Sequence, residues 1–157
     1  MALRTKNAIR RSFVELLAER PFDKISVRDI AERSEVTRNT FYYYYTDIYA
    51  LAEDVFESEI ERLSESVSDY DSWQKAFLAA TSFAAENKRM ILHLHNSAHG
   101  DILVRYYHKT ILTGMLAYIR HEAEGLDVNE RKIMALARFY TAALAGLTIE
   151  WIGSGMK

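Results

Sequence analysis

Cysteine is absent from the 157-residue sequence, proline occurs once and glycine six times. Without cysteine there is no disulfide framework, no thiolate nucleophile and no cysteine-ligated metal, which makes the reducing cytoplasm the expected setting. One proline and few glycines leave little to interrupt helices, and Ala, Leu, Glu and Arg recur throughout. Strand alternation is missing, so the expected fold class is all-α. No uncharged run, Phe139 to Ile149 included, reaches the roughly 20 residues that a bilayer span needs. The N-terminal "MALRTKNAIRR" is basic but lacks the apolar core of a secretion signal. A soluble protein without a membrane partner is expected. There is also no glycine-rich phosphate loop and no local grouping of Ser, His and acid, so neither an enzyme nor a cofactor is expected.

What is present is an asymmetry of charge. Residues 1–50 carry nine Lys or Arg against seven Asp or Glu, a net +2, while residues 51–157 carry eleven against fifteen, a net −4. Arg4, Lys6, Arg10 and Arg11 all precede the first acid, Glu15. A basic arm on an acidic body points to a polyanionic partner for the first part alone.

The apolar positions Ile9, Phe13, Leu16 and Leu17 predict a first helix over about Thr5 to Glu19, ended by Pro21, which disfavours helical geometry at Arg20. Ser26 is placed to cap a second helix, Val27 to Arg33, with Asp29 completing a short-armed capping box. After "SEV", Thr37 caps a third helix through four consecutive tyrosines. A longer helix followed by two short ones three or four residues apart is a helix-turn-helix arrangement. A connecting helix over about Asp47 to Ser66 follows, closed by the turn formers "SVSDYDS", with Ser72 or a neighbour capping the next. A short helix in "KRMILHLHNSAHG" and two long helices around "EGLDV" bring the total to seven or eight.

On the third helix, spacing puts Phe41 and Tyr45 on one face, toward the first helix and Ile30, and turns Tyr42 and Tyr43 away beside Arg38 and Asn39. Tyr44 fits either side. A phenol offers a phosphate oxygen a neutral donor, and its ring suits a sugar or a thymine methyl, although amphipathic aromatics also serve on a half-buried helix.

The stretch "FVELLAERPFDKISVRDIAERSEVTRNTFYYYYTDIYAL", residues 13–51, resembles the tetracycline-repressor (TetR) family of bacterial transcription regulators. The resemblance implies a DNA-binding domain over residues 1–46 and a helical regulatory and dimerisation domain over residues 47–157. By position it implies DNA contacts from Thr37, Arg38, Asn39 and Thr40 at the start of a recognition helix. Tyr42 falls at the family's phosphate-binding tyrosine, and Tyr43 at a position that often touches DNA. Ser26 and Arg28 open the second helix, whose N–H groups suit a phosphate. Two positions depart from the pattern. Glu35 stands where the family usually has glycine, and a side chain at positive φ there costs about 1 kcal/mol. Ile48 stands where the family usually places a DNA-contacting lysine.

In the second half, "YTAALAGLTIEWIG" carries the resemblance most plainly. Ala142 and Gly146 keep part of the last helix thin; this fits packing within the chain, and the resemblance implies a homodimer through a four-helix bundle. A small-molecule effector is the other implied partner, in a pocket where helices 5 to 7 converge, with His95, His99, Tyr106 and Tyr107 as candidate polar anchors against a core-packing alternative. His93, His95 and His99 are close in sequence, but no acid or cysteine completes an obvious site, so no metal is expected. The expected function is that of a one-component regulator binding operator DNA as a homodimer. The alternative is a degenerate helix-turn-helix protein that acts through protein contacts and binds DNA weakly.

Overall fold

The computed structural model describes residues 2–66 and 72–157, and the described residues form eight α-helices and one 3-10 turn without strands. Of the turn expected over "SVSDYDS", residues 67–71 lie outside the described residues, and Ser72, expected as a cap, is the first residue of the next helix. Helix α1 spans Ala2–Glu19 and starts three residues earlier than the spacing predicts, because Ala2, Leu3 and Arg4 are all good helix formers. Its stripe of Ile9, Phe13, Leu16 and Leu17 is fully buried. Pro21 ends it in an extended conformation (φ −54°, ψ 147°), and the 3-10 turn Phe22–Lys24 sets Phe22 edge-on to Phe13 at 6.0 Å.

Helix α2 (Val27–Arg33) begins with the expected capping box. The Ser26 hydroxyl accepts from the Asp29 N–H at 3.2 Å, while the Asp29 carboxylate accepts from the Ser26 N–H at 2.8 Å. It ends in a Schellman motif, with the Val36 N–H bonded to the Ala31 carbonyl and the Glu35 N–H to that of Glu32. Glu35 is therefore the residue in the left-handed region, at φ 55°. Helix α3 (Arg38–Tyr44) is capped by Thr37 and stops one residue short of the fourth tyrosine. Tyr45 is extended (φ −139°, ψ 134°), so its ring leaves the helix and turns inward.

Helix α4 (Ile48–Ser66) starts on Asp47, whose carboxylate accepts the Ala50 N–H at 2.8 Å. Helices α5 (Ser72–Glu86), α6 (Lys88–His95), α7 (Asp101–Glu122) and α8 (Glu130–Gly153) complete the body. Helix α7 is central, burying nine residues against α4, α5, α6 and α8. The head and the body share one core, because α1 lies on α6 and Leu51, Ala52, Ile91 and Leu94 pack in the same cluster as Phe13 and Phe41. A smaller cluster of Met115, Ile119, Ile133 and Ala137 holds the far end of α7 to α8.

Helix α8 buries Ile133, Ala137, Thr141, Ala145, Thr148 and Ile152 and exposes much of the rest. Uncharged runs stop at Arg138 and Glu150, but the helix continues through both. By length and composition it is thus long and apolar enough to cross a membrane, with 28% of its apolar window buried inside the chain.

Candidate nucleic-acid interface

The outward face of α3 is built by what its inward face does. Phe41 is fully buried, which fixes the rotation of this short helix and leaves Arg38, Asn39, Tyr42 and Tyr43 exposed. Tyr42 and Tyr43 retain 56% and 80% of their accessible surface, high for tyrosines on a packed helix, and Tyr44 is half-buried. Arg38 forms no ion pair among the described residues, so its five donors are free for a partner. The Thr37 and Thr40 hydroxyls lie 2.9 Å apart, and Thr37 accepts the Thr40 N–H at 3.1 Å, so both belong to the cap. Ser26 is likewise occupied by Asp29, and Arg28 donates to Glu32 at 2.6 Å on the exposed side of α2.

The fourth tyrosine does something the sequence pattern did not reveal. The Tyr45 hydroxyl donates to Asp54 on α4 at 2.6 Å. The same carboxylate takes a two-pronged contact from Arg10 at 2.6 and 2.7 Å, and one from Lys6 at 3.0 Å. Burial opposes ionisation of Asp54, but the donors from Arg10, Tyr45 and Lys6 outweigh it and hold the carboxyl well below the usual carboxylate range. Burial first, and then the bond to Asp54, push the Tyr45 phenol up. One acid thus ties α1, the end of α3 and α4 together. Two of the four N-terminal bases are spent on this clamp, which leaves Arg4 and Arg11 as the exposed ones. Ile48, the first residue of α4, is half-buried against the core.

The candidates in the body separate. Tyr107 is buried and donates to the Ala80 carbonyl at 3.3 Å. Tyr106 is buried between Phe56 and Phe83, and its hydroxyl has no partner among the described residues. His93 donates to the Leu17 carbonyl at 2.7 Å, His99 lies between the rings of Phe22 and Tyr49, and His95 rests against Gly153. Tyr106 lines a groove that lies between α4 and α7. Ala142 and Gly146 are exposed on α8, and a Cβ at Gly146 meets nothing of its own chain within 4 Å. Leu136, Phe139, Tyr140 and Leu147 extend this apolar face.

Two family models match successive parts of the chain. The family described as "Bacterial regulatory proteins, tetR family" matches residues 10–55, and "Transcriptional regulator C-terminal region" matches residues 71–157. The chain is 31% identical over 84 residues to the HTH-type dhaKLM operon transcriptional activator DhaS of Lactococcus lactis, covering 54% of this chain and 45% of that protein. It is 29% identical over 85 residues to the HTH-type transcriptional regulator YxbF of Bacillus subtilis, covering 54% and 21%. These matches span less than half the length of either curated relative. A solved structure of the dihydroxyacetone kinase operon activator DhaS superposes with a TM-score of 0.73 at 23% identity, covering 96% of this chain and 85% of that one. NalD, the secondary repressor of a multidrug efflux pump in Pseudomonas aeruginosa, superposes with a TM-score of 0.61 at 17% identity, covering 97% and 86%. The relatives are regulators of transcription, not enzymes. A helix-turn-helix match over the head and a regulator match over more than half the chain show that this protein belongs to the TetR family of transcriptional regulators.

Proposed function

We propose that the chain is a one-component regulator that binds operator DNA in the cytoplasm as a homodimer, with residues 1–46 reading DNA and residues 47–157 dimerising and sensing a small molecule. The observation that carries the reading is the exposed set Arg38, Asn39, Tyr42 and Tyr43 on a capped helix whose rotation is set by buried Phe41. Arg38 and Asn39 have the donors to read base edges in the major groove, and Tyr42 offers a phenol to a phosphate. Dimerisation through α8 accounts for its exposed apolar face, since patches of this kind on a folded protein mark contacts. An activator such as DhaS and a repressor such as NalD share this fold, and a bound dimer serves either sign according to where the operator lies.

A second reading has specific support. Lys6 and Arg10 are engaged by Asp54, Ile48 packs inward, and Glu35 exposes an acid at the helix-turn-helix turn. These features favour a protein that binds DNA weakly and acts through protein contacts. The salt dependence of binding decides between the two, because each phosphate contact contributes about −0.9 to the slope of log affinity against log salt. A steep slope supports the regulator. Weak, salt-insensitive binding supports the alternative.

A further inference from the structure

The clamp at Asp54 holds more positive charge than it needs. Arg10 grips both carboxylate oxygens, with Nε at 2.6 Å from one and Nη2 at 2.7 Å from the other, and the Tyr45 hydroxyl donates at 2.6 Å. Lys6 adds the longest contact, at 3.0 Å. The two bases are not equivalent. Loss of Arg10 would remove the fork, whereas loss of Lys6 leaves the acid with three donors and one opposite charge. Lys6 is also the more open partner, its side chain keeping 32% of its accessible surface against 24% for Arg10. A single lysine contact open to solvent contributes little and breaks readily. Of its three donors Asp54 takes one. Its position matters as well. Leu17, about three turns or roughly 16 Å further along α1, is tied to the body by the bond between its carbonyl and His93 of α6. Lys6 stands at the opposite end of the helix, with its ammonium 5.7 Å from the centroid of the Tyr45 ring, where α3 ends.

Resting on the DNA-binding reading above, we infer that Lys6 is an exchangeable base, paired with Asp54 in the free chain and with a backbone phosphate of duplex DNA in the bound one. Arg10 and Tyr45 keep Asp54 satisfied in both states. The flexible four-carbon stem of lysine carries the ammonium across without moving α1. The exchange replaces one exposed ion pair by another, so it costs little, and it gains the counterion that the phosphate releases. Asp54 then has two roles. It fixes Arg10 and the end of α3, and it competes with DNA for Lys6, holding that base ready beside the reading helix. A phosphate contact of the kind missing at Ile48 is thereby supplied from α1.

Binding of a short duplex of arbitrary sequence to the full-length protein, followed by fluorescence anisotropy from about 50 to 200 mM salt, tests this without an operator, because phosphate contacts set non-specific affinity. Lys6→Gln is expected to make the slope of log affinity against log salt shallower by about 0.9 for each protomer bound. Its deficit against wild type then shrinks about 3.5-fold per protomer across that range. Lys6→Arg is expected to restore the slope. Lys109→Gln, which removes the same charge from an exposed pair in the body, is expected to leave it unchanged. The thermal midpoint of Lys6→Gln is expected to fall by less than about 3 °C, since Asp54 retains Arg10 and Tyr45. If wild type binds the duplex and Lys6→Gln keeps its slope, the exchange is overturned and the regulator reading stands. The same holds if Lys6→Gln unfolds as readily as Asp54→Ala, which would make Lys6 a fixed member of the clamp. A wild-type protein that binds no duplex overturns both.

Discussion

The outward faces of α3 and α8 are both aromatic, and they differ in the company the rings keep. On α3, Tyr42 and Tyr43 stand beside Arg38 and Asn39, so every ring has a polar tip and a donor nearby. On α8, Phe139 and Tyr140 stand among Leu136, Leu147 and small residues, with Phe139 and Leu147 at 69% and 62% exposure. The first face can stay wet and meet a polyanion. The second gains only by losing water, at about 25 cal/mol per Å² of apolar surface. Aromatic content is therefore a poor guide to the kind of partner, and the neighbouring side chains decide it.

The sharpest way to break the comparison is to spoil the α8 face alone. Gly146→Leu adds a side chain where the chain's own atoms are more than 4 Å away, so it should leave the monomer folded and weaken the dimer by about 3 kcal/mol, a hot-spot magnitude. Sedimentation across a concentration series measures this. An unchanged association constant would place the dimer elsewhere.

Next in size is the clamp that holds α3 in position. Asp54→Ala leaves Arg10 and Tyr45 without their acceptor and should lower unfolding stability by about 2 kcal/mol, after discounting for partial solvent screening. The sign with pH is fixed by the depressed folded-state pKa of Asp54. Its contribution is present above the ordinary carboxylate range and is lost as pH falls below it. Asp54→Asn should flatten the acid side of the stability profile, as denaturant titrations from pH 7 to pH 2 would show.

The α3 face is sharpened by two substitutions with different signatures. Arg38→Ala should cost roughly 1 to 3 kcal/mol, concentrated at one base position. Tyr42→Phe should cost about 1 kcal/mol, spread evenly over all sequences, because a phosphate carries no sequence information. Binding isotherms on a set of single-base operator variants separate them. Smallest is Glu35→Gly, which removes a side chain from φ 55° and should raise stability by about 1 kcal/mol in thermal unfolding.

The same two regions show how far the sequence alone could be read. Caps are local chemistry, so Ser26 with Asp29 and the cap at Thr37 were legible within a few residues, while the left-handed Glu35 was legible only through the family resemblance. The inward side of Tyr45 was legible as well, but its bond to Asp54 was not, because Asp54 lies on the next helix and also draws Arg10 from 44 positions away. Lys6 and Arg10 accordingly read as a free basic arm, although the fold spends them on that acid. In the body, the helices were legible from their apolar spacing, but the groove between α4 and α7 depends on which faces of two distant helices meet. The histidines make the same point. Their closeness in sequence places them on one short helix and the turn after it, yet each faces a different neighbour.

Selection of bound sequences from a random DNA pool, with the full-length protein at near-physiological salt, tests the central claim most directly. The account predicts a near-palindromic site with half-sites about one helical turn, roughly 34 Å, apart, matching two α3 helices related by a two-fold axis. Failure to enrich any sequence, or enrichment of a single half-site without symmetry, would contradict it.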